Sequence, residues 1–272
     1  MSDIHKIGLL AGRGQFPFLF ARAAQRRGVK VFAAAFEGET LPELEQVVDD
    51  ILWVKLGQFA PIMSFFKRQG LKEAVMAGGV TKVNMFARFQ PDSKAQAIMT
   101  RLETLNDDNV LRALAAEFEN EGITILASTL YTPELQAPSG VLTHRSPSSD
   151  EETDIEFGWQ VAKAIGNLDI GQCVVVRHRV VLAVEAIEGT DEAIRRGGRL
   201  AREGAVVVKA IKPNQDFRFD VPSVGPGTVA VMREVKASVL AIEAGKTLIF
   251  DSEEMIAAAD QAGIAIIARK SE

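Results

Sequence analysis

Between Lys209 and Thr228 the chain reads Lys-Ala-Ile-Lys-Pro-Asn-Gln-Asp-Phe-Arg-Phe-Asp-Val-Pro-Ser-Val-Gly-Pro-Gly-Thr. A hydrophobic core has no use for this mixture. Lys209, Lys212 and Arg218 can hold an anion, and Asp216 and Asp220 can hold a metal ion or take a proton. Pro222, Gly225, Pro226 and Gly227 set a rigid turn with exposed backbone N–H groups. The pattern predicts a helix from near Thr228, whose N-terminus would favour phosphate. Cations, carboxylates and a helix start in one loop suit a phosphate ester with a divalent metal. A solvated proline-rich loop with ordinary ion pairs has the same composition, and the residues alone leave both readings open.

The elements that would position this loop are those of an α/β protein. Ile7 to Ala11 is an apolar run that ends in Gly12-Arg13-Gly14. A helical pattern follows with Phe16, Leu19, Phe20, Ala23 and Ala24 on one side, Gly28 stops it, and Val29 to Phe36 is a second apolar run. Strand, glycine loop, helix and strand in that order predict a parallel sheet. Val47 to Val54 reads as a third strand, Ala60 to Gln69 as a helix and Glu73 to Ala77 as a fourth strand, ending in Gly78-Gly79-Val80-Thr81-Lys82. Ligands of open parallel sheets bind at the carboxyl ends of strands, so Gly12, Gly14, Gly78 and Gly79 are expected to share one rim. Two unrelated tight turns would also explain them. A redox dinucleotide motif is incomplete, because Pro17 stands where its third glycine belongs and Glu37 is only loosely placed as a ribose acid.

Further along, 92–105 and 106–120 read as two helices and Ile123 to Ala127 as a strand. Residues 132–150 are rich in Pro, Ser and Thr, which marks a linker and a domain boundary near residue 135. The second half opens with a helix over 150–167. A hairpin over 172–185 turns near Arg177-His178-Arg179. Glu188-Gly189-Thr190-Asp191 then opens another helix, with Thr190 or Asp191 as its cap; Gly189, Thr190 and Asp191 can equally hold a phosphate or its metal. Ala205 to Val208 reads as a buried strand before the loop described first. Val239 to Glu243 and Thr247 to Phe250 are two short strands, Asp251 caps a last helix, and Ile264 to Ala268 closes the sheet.

The whole chain narrows the choices. Its 272 residues suit two domains, and an apolar fraction of 47% suffices for a core. A net charge of −5 with no basic patch disfavours nucleic acid. Cys173 is the one cysteine, which excludes an intrachain disulfide and a cysteine-based zinc site. No signal peptide and no membrane-length apolar run is seen, so a cytoplasmic protein is expected. The three histidines, His5, His144 and His178, lie beside no serine nucleophile motif, and no Walker Gly-Lys-Ser/Thr occurs. What remains is metal-assisted attack of water on a phosphate, with lysines and backbone N–H groups holding the leaving group.

Five segments in register carry a resemblance. Ile7-Gly-Leu-Leu-Ala-Gly-Arg-Gly-Gln-Phe-Pro17, Ala77-Gly-Gly-Val-Thr81, Leu168-Asp-Ile-Gly-Gln172, Val181 through Glu188-Gly-Thr-Asp191, and Gln215 through Asp220-Val-Pro-Ser-Val-Gly225 together resemble the LpxI family, UDP-2,3-diacylglucosamine pyrophosphatases of lipid A biosynthesis. The resemblance implies two α/β domains, 1–134 with a Rossmann-like parallel sheet and 135–272 as a mixed α/β catalytic domain, and a substrate cleft between them. It implies hydrolysis of the pyrophosphate to UMP and 2,3-diacylglucosamine 1-phosphate, dependent on magnesium or another divalent cation. Asp220, in Arg218-Phe-Asp-Val-Pro222, is carried over as the catalytic residue and, with Asp191, as a metal ligand. Gly12, Gly14, Gly78, Gly79, Gly189, Thr190, Lys209, Lys212, Gln215, Arg218 and Gly225 are carried over as substrate contacts. Met85, Phe86 and Phe89 are candidates for an acyl-chain groove, although core packing explains them too. A peripheral contact with the inner membrane and a homodimer are left open, and no nucleic-acid partner is implied. A nucleotide-dependent oxidoreductase and a non-catalytic nucleotide-sugar binding protein are the alternatives.

Overall fold

The computed structural model describes residues 4–80, 89–102, 107–213, 215–218 and 221–270. The chain divides into two units, Met1–Pro133 with Asp216–Asp220, and Glu134–Gln215 with Val221–Glu272.

The first unit is built on the apolar runs near the N-terminus. Strands β1 (Lys6–Ala11), β2 (Lys30–Phe36), β3 (Asp50–Val54), β4 (Glu73–Ala77) and β5 (Thr124–Ile125) form one sheet in the order β3-β2-β1-β4-β5. Every pairing is parallel. Helices α1 (Phe16–Gln25), α2 (Ala60–Arg68), α3 (Ser93–Met99) and α4 (Asp107–Asn120) accompany it. In a parallel sheet both faces are covered, and this is why Ile7, Leu9, Leu10 and Ala11 are buried without alternation. Phe59, Phe66 and Phe118 form the centre of one face, with the Phe59 and Phe118 rings 4.8 Å apart, edge to face. Strand order reverses between β1 and β4, so the unit is Rossmann-like and that is its topological switch point.

Some boundaries differ from the sequence expectation. The third strand begins at Asp50 rather than Val47, because Pro42–Val47 winds into a 3-10 turn and Asp49 turns back to accept a hydrogen bond from Val31 N. The helix expected over 92–105 ends at Met99; Asp92 caps it, its carboxylate accepting from Ala95 N at 2.8 Å.

In the second unit β6 (Gly140–Val141), α5 (Ser149–Asn167), β7 (Cys173–Arg177), β8 (Val180–Val184), α6 (Thr190–Ala201), β9 (Val206–Lys209), β10 (Ser223–Val224), α7 (Pro226–Glu234), β11 (Val239–Glu243), β12 (Leu248–Ile249), α8 (Ser252–Gln261) and β13 (Ala265–Arg269) follow in order. Six strands make one sheet, β6-β13-β11-β9-β7-β8, and β10 pairs with β12 apart from it. β9, β11 and β13 are parallel, whereas β7 runs against both β8 and β9. Two expectations are corrected here. β13 does not close the sheet, because β6 from the Pro- and Ser-rich stretch adds outside it. The segment 247–250 contributes only two strand residues, and to the small sheet.

Local chemistry explains the element starts. Ser148 and Glu151 form a reciprocal capping box on α5. α7 begins at Pro226 rather than Thr228, which fits the preference for proline in a first helical turn. The β7–β8 turn holds His178 and Arg179 in left-handed backbone conformations, φ 51° and 57°. Buried Asp154 of α5 accepts from both N–H groups, at 2.8 and 2.6 Å. The directions of these strands place the carboxyl ends of β8, β9, β11 and β13, and the amino end of β7, along one edge of the sheet.

Candidate functional site

The first unit's glycine loops meet at the switch point. Gly12 N donates to Ala77 O at 2.8 Å, Arg13 N to Gly79 O at 2.6 Å, and Gly79 N to Arg13 O at 3.3 Å. The two loops are therefore one structure. A Cβ on Gly12 would lie 2.5 Å from Gly79 O, and one on Gly78, whose φ is 86°, would lie 2.6 Å from Arg13 O. Contact between the loops thus suffices to explain Gly12 and Gly78. Gly14, with φ 91°, and Gly79 have open space where a side chain would start. Thr40 completes the rim: it is buried, its hydroxyl donates to Ala11 O at 2.5 Å and accepts from Phe36 N at 2.9 Å. Pro17, at the position of the missing third glycine, is buried in the first turn of α1.

The second unit gathers its polar residues at the edge defined above. Lys209 ends β9 with only 7% of its surface exposed, and its Nζ donates to Ser223 O at 2.9 Å. Across the ladder from it is Cys173. Burial pushes the Cys173 thiol far above the ordinary range; Glu185 raises it further and Lys209 lowers it, so both charges act on this strand end. Buried Glu185 follows β8 and accepts from the Thr190 hydroxyl at 2.9 Å and from Gln172 N at 3.3 Å. Gly189, with φ 85°, occupies the N-cap of α6; Thr190 is its first residue and turns its hydroxyl to Glu185, so neither Thr190 nor Asp191 is the cap. Lys212 pairs with Asp169 at 2.5 Å, and its backbone N donates to the Gln215 side-chain oxygen at 2.9 Å. Beyond it, fully buried Glu243 of β11 accepts from Ile211 N at 3.0 Å and is neutralised by Lys163 and Lys246 at 2.8 and 3.1 Å. Two polar atoms in this region, Gln172 Oε1 and Gln215 Nε2, are buried and have no hydrogen-bond partner among the described residues. Gly225 is the N-cap of α7, two residues past the carbonyl that Lys209 holds.

Gly189, Thr190, Lys209, Lys212 and Gln215, chosen from the sequence, thus lie along one edge. Gln172, Glu185 and Glu243 belong there too and were not chosen. Glu185 and Gln172 flank apolar strands, a position that is itself a signal. Nothing local marks Glu243, which reads as the end of an apolar run.

Arg218 belongs to the other unit. Its guanidinium donates to Asp216 at 2.8–3.2 Å and to Glu119 at 2.7 Å, and Arg112 adds a contact to Asp216 at 3.3 Å. The Asp216 carboxylate also accepts from Arg218 N at 3.0 Å, and Arg218 O accepts from Ser128 N at 3.1 Å. The Arg218 guanidinium holds the Asp216 carboxyl below its usual range, against the opposing effect of burial. Asp220, Met85 and Phe86 lie outside the described residues; Phe89 is half-buried.

A divalent metal finds one described candidate ligand. Asp191 is exposed in the first turn of α6, where a carboxylate complements the helix dipole. Among the described residues no three His, Cys, Asp or Glu side chains converge as a metal cage. Magnesium commonly takes one or two carboxylates and completes its shell with phosphate oxygens and water. One exposed carboxylate is compatible with that role and does not by itself define a site.

Among the described residues no helix is long and apolar enough to cross a membrane. Comparison with known structures finds CobK precorrin-6A reductase, 11% identical over 99% of this chain and 89% of that one with a TM-score of 0.35. It also finds the biotin carboxylase domain of a thermophilic 2-oxoglutarate carboxylase, 15% identical over 63% and 34% with a TM-score of 0.27. Likenesses this weak carry no argument. Sequence comparison is more telling. UDP-2,3-diacylglucosamine pyrophosphatase LpxI of Caulobacter vibrioides is 34% identical over 277 residues, covering 97% of each chain. Models of the LpxI N-terminal and C-terminal domains match residues 6–135 and 138–267. On that coverage, the chain belongs to the LpxI family.

Proposed function

We propose that this protein hydrolyses the pyrophosphate bond of UDP-2,3-diacylglucosamine, giving UMP and 2,3-diacylglucosamine 1-phosphate in lipid A biosynthesis. The observation that carries the reading is the 34% identity across 97% of both chains to a protein named for that activity. Asp220 is the proposed catalytic carboxylate, acting on the attacking water. Lys209 and Lys212 are proposed to balance phosphate charge, and the Gly189–Thr190 turn at the start of α6 to offer its N–H groups to a phosphate oxygen. Gln215 and Gly225 are assigned to the same ligand. In the first unit, Gly14 and Gly79 are the proposed phosphate-facing positions, with Gly12 and Gly78 holding their loops together.

Magnesium dependence is part of the proposal, with Asp191 and Asp220 as the carboxylates that would hold the ion. The ion, when bound, supplies charge neutralisation on the diphosphate and a more acidic bound water. A substrate with two acyl chains also suits a cytoplasmic enzyme working at the inner face of the inner membrane. The test is product identification. Purified wild type should release UMP and 2,3-diacylglucosamine 1-phosphate, and Asp220→Ala should bind the substrate and release neither. Turnover by Asp220→Ala near the wild-type rate would remove Asp220 from its role.

A further inference from the structure

The ladder between β9 and β11 ends at the pair of Lys209 with Ile242. Beyond it, side chains take over from the ladder. Glu243 still belongs to β11, and its fully buried carboxylate faces the chain that leaves β9. Its Oε2 accepts from Ile211 N at 3.0 Å. Lys163 reaches the same point from α5, the helix that packs on β7 and β9. Its Nζ donates to Glu243 Oε2 at 2.8 Å and to Ile211 O at 3.1 Å. One ion pair therefore holds both the N–H and the C=O of a single residue, the one before Lys212.

Charge neutralisation does not account for this arrangement. Lys246 also pairs with Glu243, at Oε1 and 3.1 Å, whereas Ile211 N and Lys163 both sit on Oε2. Nor is a buried ion pair strong evidence for stability, because its attraction little more than repays desolvation. What it supplies is direction. Hydrogen bonds from or to a charged group are shorter and stronger than neutral ones, and here two of them fix one peptide segment. α5 also comes close to the next two residues. A Cβ on Gly166 would lie 3.2 Å from Lys212 Cα and 3.3 Å from Pro213 Cδ. The helix thus grips Ile211 and packs on Lys212-Pro213, and proline stiffens the segment further by fixing its own φ.

We propose that Lys163 and Glu243 are positioning residues for Lys212, acting through the Ile211 backbone and not on the substrate. The inference rests on the proposed role of Lys212 in balancing phosphate charge, and it adds the two groups that aim that lysine. Misplacement of a substrate-holding group by about 1 Å can cost about 100-fold in rate. Lys163 and Lys246 share the work of neutralising Glu243, but in the contacts above it is Lys163 that also holds the Ile211 carbonyl. The two lysines therefore separate positioning from neutralisation.

The experiment compares kcat/KM for UDP-2,3-diacylglucosamine in wild type, Lys163→Met, Lys246→Met, Lys163→Arg, Lys212→Met and the double variant Lys163→Met/Lys212→Met, at a temperature where circular dichroism shows each folded. Lys163→Gln replaces Lys163→Met should the latter not fold. Lys163→Met should lower kcat/KM by about tenfold or more, and Lys246→Met should stay within about twofold. Lys163→Arg, which keeps a donor for both oxygens, should regain most of the loss. In the Lys212→Met background, Lys163→Met should cost less than about twofold more, because the lysine it aims is gone. Equal effects of Lys163→Met and Lys246→Met, or losses at Lys163 and Lys212 that multiply, would overturn the proposal. A purely structural pair would lower melting temperatures and leave kcat/KM of the folded variants alone, which also overturns it. If wild type does not hydrolyse the substrate, the proposed activity falls, and titration of the same proteins with 2,3-diacylglucosamine 1-phosphate decides the positioning separately. The same pattern in affinity keeps it; no binding, or binding that Lys163→Met leaves unaltered, overturns it.

Discussion

Lys209 is a buried ammonium whose one described hydrogen bond goes to the Ser223 carbonyl. A cation held in this way costs the fold stability and is retained where function uses it. Lys209→Met keeps the aliphatic stem and removes the charge. The expected outcome is an unfolding free energy raised by about 1 kcal/mol together with kcat/KM lowered at least about tenfold. Urea denaturation and steady-state kinetics on one preparation check both signs. The glycines offer a contrast of a different kind. Gly12→Ala drives a methyl into the Gly78–Gly79 backbone and should cost about 1–3 kcal/mol in denaturation, whereas Gly79→Ala meets open space and should stay within about 0.5 kcal/mol. Asp216 gives a pH signature. Its folded carboxyl titrates below the ordinary 3.8 because of Arg218, so its contribution is present above about pH 3.8 and disappears as pH falls below it. Melting temperatures of wild type and Asp216→Asn should therefore differ at neutral pH and converge in acid.

The elements were legible where the chain repeats a strong pattern. The runs Ile7–Ala11, Glu73–Ala77 and Val174–Val176 are too apolar for anything but covered strands, and in the first unit the parallel order of the strands follows from the helices between them. Ser148-x-x-Glu151 could be read as a helix start from its spacing alone. β6 could not be, because two residues inside a proline-rich stretch have no period to read. The cap of α6 was misplaced for a related reason. Thr190 is a good capping type, but Gly189 can take φ 85° and leaves the threonine hydroxyl to Glu185. The hairpin between β7 and β8 was seen from its Val runs, and the carboxylate that fixes its turn was not, since Asp154 lies far away in sequence. Asp154→Ala, which frees both turn N–H groups, should cost about 1–2 kcal/mol in urea denaturation. Asp154→Asn, which keeps one acceptor oxygen, should cost less.

For the whole molecule, sequence patterns reached the α/β class, and five short motifs reached the family that chain-long identity establishes. The buried groups of the second unit escaped because polar residues at strand ends resemble ordinary loop residues until the sheet brings Gln172, Glu185 and Lys209 together. The proposed metal dependence has its own test: removal of divalent ions by a chelator should abolish turnover that added magnesium restores. Full activity in chelator would detach the metal from the proposal without touching the substrate. The central claim is the bond that is cut. Incubating the purified protein with UDP-2,3-diacylglucosamine and identifying the products by mass spectrometry tests it most directly. The account predicts UMP and 2,3-diacylglucosamine 1-phosphate in equal amounts. Intact substrate after incubation with magnesium, or UDP and a free diacylated sugar in their place, would contradict it.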